Sequence, residues 1–201
     1  MIKKIIFIIS AAVAVLIGLL LLLNVITCKQ RKTIALLEKN ISHLKEETTP
    51  IRFKVTKRKN GKVTVVFAFY DADNKRIKKG IQKTFTGNEI SFDFYVYQTQ
   101  NKYIAFPYKV YTDSIAPNQG DDLIVYYDKA GFPQIFNKKN MNKDLRFGLE
   151  ALFEKVKNGE ITKDEKYFGN MVHDLAGVKE FRIGHTYKII THTKGGIEIV
   201  E

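Results

Sequence analysis

Hydrophobic positions change their spacing three times along this chain. From residue 5 to residue 28 there is no charged side chain at all (IIFIISAAVAVLIGLLLLLNVITC). Between 33 and 47 the apolar positions fall at Ile34, Leu37, Ile41 and Leu44, spaced 3, 4, 3. From residue 51 they alternate with polar ones. Later they recur at Leu145, Leu149, Leu152 and Val156, spaced 4, 3, 4.

Each spacing implies an element. As a helix, the uncharged run of 24 residues is roughly 36 Å long at ~1.5 Å per residue, enough to cross a hydrocarbon core about 30 Å thick. It is longer than the ~7–15 apolar residues of a cleavable signal and has no A-x-A at its end. The expectation is an uncleaved transmembrane anchor over 1–28. Val25-Ile26-Thr27-Cys28 also resembles a loose lipobox, with Thr27 a poor fit before the Cys. The plainer reading of Cys28 is a free thiol at the membrane interface.

The 3-4-3 spacing is an a/d seam over residues 33–47, within a stalk of 29–49. Two readings fit it: a coiled-coil-like stalk that pairs two copies, or an amphipathic helix folded back on its own domain. Pro50 is expected to stop this helix, because the residue before a proline is pushed out of the helical region.

Alternation then predicts strands. Ile51, Phe53 and Val55 alternate with Arg52, Lys54 and Thr56, and Val63, Val65, Phe67 and Phe69 follow after Asn60-Gly61. A two-residue turn at Asn60-Gly61 would set Lys54 opposite Phe67. A three-residue loop with a bulge, Lys59-Asn60-Gly61 with Gly61 left-handed, pairs Phe53 with Phe67 and Val55 with Val65, and is the expected solution. Further strands are expected through Ile77, Ile81 and Phe85, then Ile90–Val96, Tyr103–Tyr111 and Leu123–Tyr127. The Leu145–Val156 stripe is a helix stopped at Asn158-Gly159. A capping box at Thr162-Lys163-Asp164-Glu165 opens a second helix through Leu175. Tyr187–Thr191 and Ile197–Val200 flank a final turn.

The class expected is therefore α+β: an N-terminal transmembrane helix, a short stalk, and a globular domain over 50–201. That domain is an antiparallel β-meander of about six strands (50–136), then two helices and a C-terminal β-hairpin (137–201).

Charge changes this picture locally. The chain of 201 residues carries 33 Lys and Arg against 21 Asp and Glu, a net +12. Residues 51–87 hold 11 basic residues against Asp71 and Asp73, while residues 88–201 hold 15 against 16. The excess belongs to the first hairpin and the strand after it. Arg52, Lys54, Arg58 and Lys62 are expected on the face opposite Phe53 and Phe67, with Arg76 and Lys78 beside them. Such a face attracts anions: phospholipid headgroups, an anionic envelope polymer or nucleic acid. It also reads as a sheet kept soluble by Lys. No RNP-type, helix-turn-helix or C2H2 pattern accompanies it, so nucleic acid is disfavoured.

Candidate chemistry is sparse. One Cys excludes a disulfide framework or a Cys-rich metal site. His43, His173, His185 and His192 form no ligand motif, and His173-Asp174 are helix neighbours that do not face each other. No P-loop, G-x-S-x-G or G-x-G-x-x-G is present. Tyr95 and Tyr97 lie opposite Phe92 and Phe94, where they would stack on a sugar or base or pack under the helices. The distinctive loop is 113–122, where Asp113, Asn118, Asp121 and Asp122 resemble oxygen ligands or an acid–base pair but lack Ca²⁺-loop spacing. No catalytic residue, metal or cofactor is assigned.

The functional expectation is a non-enzymatic binding or scaffolding protein of a bacterial envelope. The alternatives are a carbohydrate-acting envelope enzyme using loop 113–122 and a cytoplasmic, membrane-tethered nucleic-acid binder. The positive-inside count slightly favours a cytoplasmic domain, with Lys29, Arg31, Lys32 and Lys39 after the run against Lys3 and Lys4 before it. A very short N-terminus before a long apolar run is the form of a signal anchor, and long domains translocate largely regardless of charge. An extracytoplasmic domain is therefore expected. With Cys28 replaced by Ser and Asn60 by Cys, an impermeant maleimide should label intact cells; labelling only after lysis places the domain inside.

Overall fold

In the computed structural model, Asn60 and Gly61 both take positive φ, 54° and 65°. This left-handed pair closes the first hairpin in two residues, the turn Asn-Gly favours, since Gly has no Cβ and Asn tolerates the region. β1 (Glu47–Lys59) and β2 (Lys62–Phe69) pair antiparallel, with Phe53 opposite Phe67 and Val55 opposite Val65. That is the pairing the side-chain pattern demands. Gly61 is left-handed as expected, but the loop has two residues rather than three and the bulge is not at the loop. The extra residue is Thr56, bulged between Val55 and Lys57, and its hydroxyl donates to the Thr64 carbonyl at 3.2 Å. A bulge and a longer loop correct parity equally, and here the bulge leaves an ideal turn intact.

The structure describes residues 15–21, 24–25, 32, 41–98, 102–159, 167–168 and 181–201. Most of the expected anchor, the first half of the stalk, and most of the expected second helix with His173 and Asp174 lie outside the described residues. Residues 15–21 are helical and exposed. Among the described residues no helix is long and apolar enough to cross a membrane.

The described end of the stalk differs from expectation. Ile41–His43 is a 3-10 turn and β1 begins at Glu47. Ile41 and Leu44 are buried in the domain core, so this half of the seam is used by the domain itself. Pro50 does not end a helix but sits inside β1, at an irregularity between Thr48 and Ile51 in the pairing with the strand Thr186–His192. A proline is tolerated in a strand where the ladder is already interrupted.

The strands continue as β3 (Ile81–Thr86), β4 (Ile90–Gln98), β5 (Tyr103–Thr112), β6 (Asp121–Asp122), β7 (Asp128–Lys129) and β8 (Phe132–Pro133). Then come α1 (Lys143–Asn158), β9 (Tyr167–Phe168), β10 (Thr186–His192) and β11 (Ile197–Val200). The α+β class and the antiparallel meander hold, but the meander is divided. A large five-stranded sheet runs β11-β10-β1-β2-β3, and a small four-stranded sheet runs β6-β5-β4-β9. Gly87, at φ 118°, lies where the chain leaves one for the other. Tyr167–Phe168 pair with Val96 and Tyr97 as β9 rather than continuing a helix from Thr162. Leu123–Tyr127 is not a strand either. Leu123, Ile124 and Tyr127 are buried around an exposed Val125, a spacing that fits the 3-10 turn Ile124–Tyr126.

The core joins the sheets through aromatic rings. Phe53 of β1 lies 4.9 Å from Phe92 of β4, 5.0 Å from Phe181 and 5.5 Å from Tyr187 of β10. A second cluster centres on α1, whose Leu145, Leu149, Leu152 and Phe153 are fully buried. Asn142 caps its start by accepting the Asp144 amide at 2.8 Å, and Gly159, at φ 66°, ends it. Phe153 lies 5.7 Å from Phe106 and 5.6 Å from Tyr127, and the Tyr127 hydroxyl donates to the Pro107 carbonyl at 2.7 Å. Phe153→Ala should lower the unfolding free energy by about 3–5 kcal/mol, as buried aromatics do. Phe147→Ala, on the exposed side of α1, should change it by under about 0.5 kcal/mol. Urea unfolding monitored by Tyr fluorescence reads both, and equal effects would contradict the packing described.

Candidate anion-binding face

Residues directly opposite across antiparallel strands share a face. Phe53 and Val55 point inward, so Arg52 and Lys54 point outward, with Ala68 and Val66 of β2 on one side and Lys188 and Thr186 of β10 on the other. Beyond the Thr56 bulge the outer pairs are Lys57 with Thr64 and Lys59 with Lys62. Arg52, Lys54, Lys57, Lys59, Lys62 and Lys188 therefore stand together on the outer face of the large sheet. Each side chain there is exposed or half-buried.

The cations differ in how they are held. Arg52 is fixed: its Nη2 donates to Asn74 Oδ1 at 2.7 Å, and its guanidinium lies 4.3 Å from the centre of the Tyr70 ring. Its Nε is buried with no acceptor. Lys54, Lys57, Lys59, Lys62 and Lys188 have no carboxylate partner among the described residues. Glu198, on the same face, is engaged by His192 Nε2 at 3.0 Å.

Of the residues expected on this face, Arg52, Lys54 and Lys62 are there. Arg58 is not. The bulge turns it to the inner side, opposite buried Val63. Its Nε donates to the Asn88 carbonyl at 2.8 Å, and its terminal nitrogens reach the Phe181 carbonyl at 3.4 Å. Arg58 is thus a tie between the β3–β4 turn and the segment entering β10. Arg76 lies at the margin. Its Nε donates to the Lys78 carbonyl at 3.1 Å, and a Cβ on Gly80 would stand only 2.9 Å from its Nη2 and 3.2 Å from Val66 Cγ1. Glycine at 80 leaves the room that Arg76 occupies beside Val66. Lys78 faces a neighbouring cleft.

Loop 113–122 does not gather its acids. Asp113 Oδ1 accepts the Asn88 amide at 2.8 Å and the Glu89 amide at 3.2 Å, and the Asn88 bond is the main reason its pKa is lowered. Asp121 pairs with Lys83, whose own pKa the contact raises. Asp122 pairs with Lys109 at 2.8 Å. Asn118 is exposed on the 3-10 turn Pro117–Gln119. Each carboxylate closes a different strand junction, and no residue of the loop is poised toward a common ligand. Among the described residues no group of three or more His, Cys, Asp or Glu is placed to hold a metal. His185 and His192 do not approach one another; they pair with Glu201 at 2.5 Å and Glu198 at 3.0 Å.

One buried acid escaped the pattern. Asp93, in β4, is 1% exposed and opposite Lys109. Burial raises its pKa, partly offset by a hydrogen bond from Tyr111, and its Oδ1 has no partner. Nearby, Tyr95 packs 4.2 Å from Tyr108, and burial first, then the bond with Tyr108, pushes its pKa up to about 12. Those contacts occupy Tyr95, and Tyr97 is buried, so neither offers an open stacking platform. The only clue to Asp93 was an acid flanked by Phe92 and Phe94.

No family model, curated protein or solved structure matches this chain.

The raised pKa of Asp93 sets a pH test. Its contribution to stability is present in full below the ordinary value of 3.8 and is lost as pH rises through the raised value in the folded chain. Asp93→Asn should therefore unfold at a higher urea midpoint than the natural chain at pH 7, and the gap should close toward about pH 3. A gap that persists or widens in acid would contradict this.

Proposed function

We propose that this chain is a single-pass, membrane-anchored protein of a bacterial envelope whose extracytoplasmic domain binds an anionic partner without catalysis. The observation that carries this reading is the outer face of the large sheet. Five lysines there have no carboxylate partner among the described residues, and Val66, Ala68 and Ile190 lie half-buried between them. Fixed like charges on a solvated surface repel one another, and a polyanion laid across them releases counterions and relieves that repulsion. An acidic polymer or an acidic protein patch has the matching chemistry. The uncharged run at 5–28 supplies the anchor. Pairing of two copies, if it occurs, would fall to residues 33–40, since Ile41 and Leu44 are committed to the domain. The enzymatic reading is weaker, because the acids of loop 113–122 are engaged separately, Asp113 by backbone amides and Asp121 and Asp122 by different lysines.

The test uses the full chain in phosphatidylcholine nanodiscs with inorganic polyphosphate as the probe. Binding should weaken steeply with added salt. Lys54→Glu with Lys59→Glu and Lys62→Glu should weaken it at least tenfold with urea stability retained, while Lys143→Glu at the start of α1 should not. Equal binding by the triple variant would remove the proposal. Binding of duplex DNA alone, with no binding of polyphosphate, would favour the nucleic-acid reading instead.

A further inference from the structure

Next to the outer face, the segment after β2 stands apart from the Tyr126–Asn137 stretch and leaves a cleft of about 570 Å³, within the range of small-molecule sites. Its wall carries Lys75, Arg76, Lys78 and Lys129. It also carries two acids, and both are already engaged. Asp71 Oδ1 accepts the Asp73 amide at 3.0 Å and the Lys75 amide at 2.8 Å. Asp128 accepts the Gly131 amide at 2.9 Å on one oxygen and Lys157 Nζ at 3.2 Å on the other. Lys75, Lys78 and Lys129 have no such partner among the described residues, and Arg76 gives only its Nε, to the Lys78 carbonyl.

With four basic side chains against two carboxylates in its lining, the cleft is net positive even with both acids ionised. Gln134 and Asn137 also line it, and their side-chain amides can accept and donate neutral hydrogen bonds. Clustered ammonium and guanidinium groups match the charge of a phosphate, and neutral amides match hydroxyl groups. We infer that this cleft binds a phosphorylated sugar or polyol, its phosphate between Lys78, Lys129 and Arg76 and its hydroxyls toward Gln134 and Asn137. The ligand could be a free phosphate ester or one unit of a phosphodiester polymer; both present the same groups. The site is separate from the outer-face reading, since Lys75, Lys78 and Lys129 are not on the sheet face and either site can fail alone.

The test titrates the full chain in phosphatidylcholine nanodiscs by calorimetry, with glucose 6-phosphate, glycerol 3-phosphate, inorganic phosphate and glucose as separate probes. The phosphate esters should bind, glucose should not, and inorganic phosphate should bind at least threefold more weakly than the esters. Lys78→Ala with Lys129→Ala should weaken ester binding at least tenfold; both side chains are exposed, so unchanged urea stability is expected alongside. Gln134→Ala should weaken the esters but not inorganic phosphate. A glycerol phosphate oligomer that binds more tightly than glycerol 3-phosphate identifies the polymer as the source; equal or weaker binding identifies the free ester. No ester binding at millimolar concentration, or binding unchanged in the double Lys variant, overturns the site. Inorganic phosphate binding as tightly as the esters overturns the sugar or polyol assignment.

Discussion

One extra residue in β1 decides what this protein presents to its surroundings. β1 is hydrogen-bonded to β2 on one side and β10 on the other, so its parity sets the facing of side chains across the large sheet. With the two-residue Asn60-Gly61 turn and no bulge, Lys54 would lie opposite Phe67 and Val55 opposite Val66. A lysine would enter the aromatic core and a valine would leave it. Desolvating an unpaired ammonium costs several kcal/mol, far more than the local distortion of a bulge. Thr56 absorbs the mismatch. Because it does so in mid-strand, it also changes the side taken by Lys57, Arg58 and Lys59.

That displacement explains which part of the site was legible. Phe53, Val55, Val65 and Phe67 alternate so cleanly that their pairing follows from the sequence, and the outward facing of Arg52 and Lys54 follows with it. Where the compensating residue sits does not follow, because loop and bulge satisfy the same pattern. Arg58 was misplaced for that reason alone. The α1 stripe and its Gly159 stop were readable, being local. The seating of β10–β11 against β1 was not, since nothing near residue 187 encodes a partner near residue 53. The 3-10 turn at Ile124–Tyr126 was misread because a short apolar run fits strand and turn alike. The cleft beside Lys78 was invisible, as it joins segments some fifty residues apart.

Charge is distributed by the same economy of partners. The acids of the second half are engaged at junctions: Asp121 with Lys83, Asp122 with Lys109, Asp128 with Lys157. Asp113 holds the turn after β3 through backbone amides. These contacts draw on Lys83 and on lysines beyond residue 87, and leave the outer-face lysines without carboxylates. The overall +12 is thus neither diffuse nor a property of the fold. Residues 51–87 hold 11 basic against two acidic side chains, and most of that excess stands on one sheet face and in one adjoining cleft. Surface lysines at this spacing gain little individually in physiological salt, where screening acts over about 8 Å. Their effect is collective, which is what the proposed binding of an extended polyanion requires.

The most direct test of this account compares the salt dependence of polyphosphate binding between two single variants, Lys59→Gln and Arg58→Gln, in chains that remain folded. These neighbours in sequence are assigned opposite sides of the sheet by the Thr56 bulge. The slope of log K against log salt should become shallower by about one unit for Lys59→Gln, as expected for one lost contact to a polyanion. For Arg58→Gln it should stay unchanged. A slope that falls equally in both variants would place Arg58 on the binding face and contradict the account.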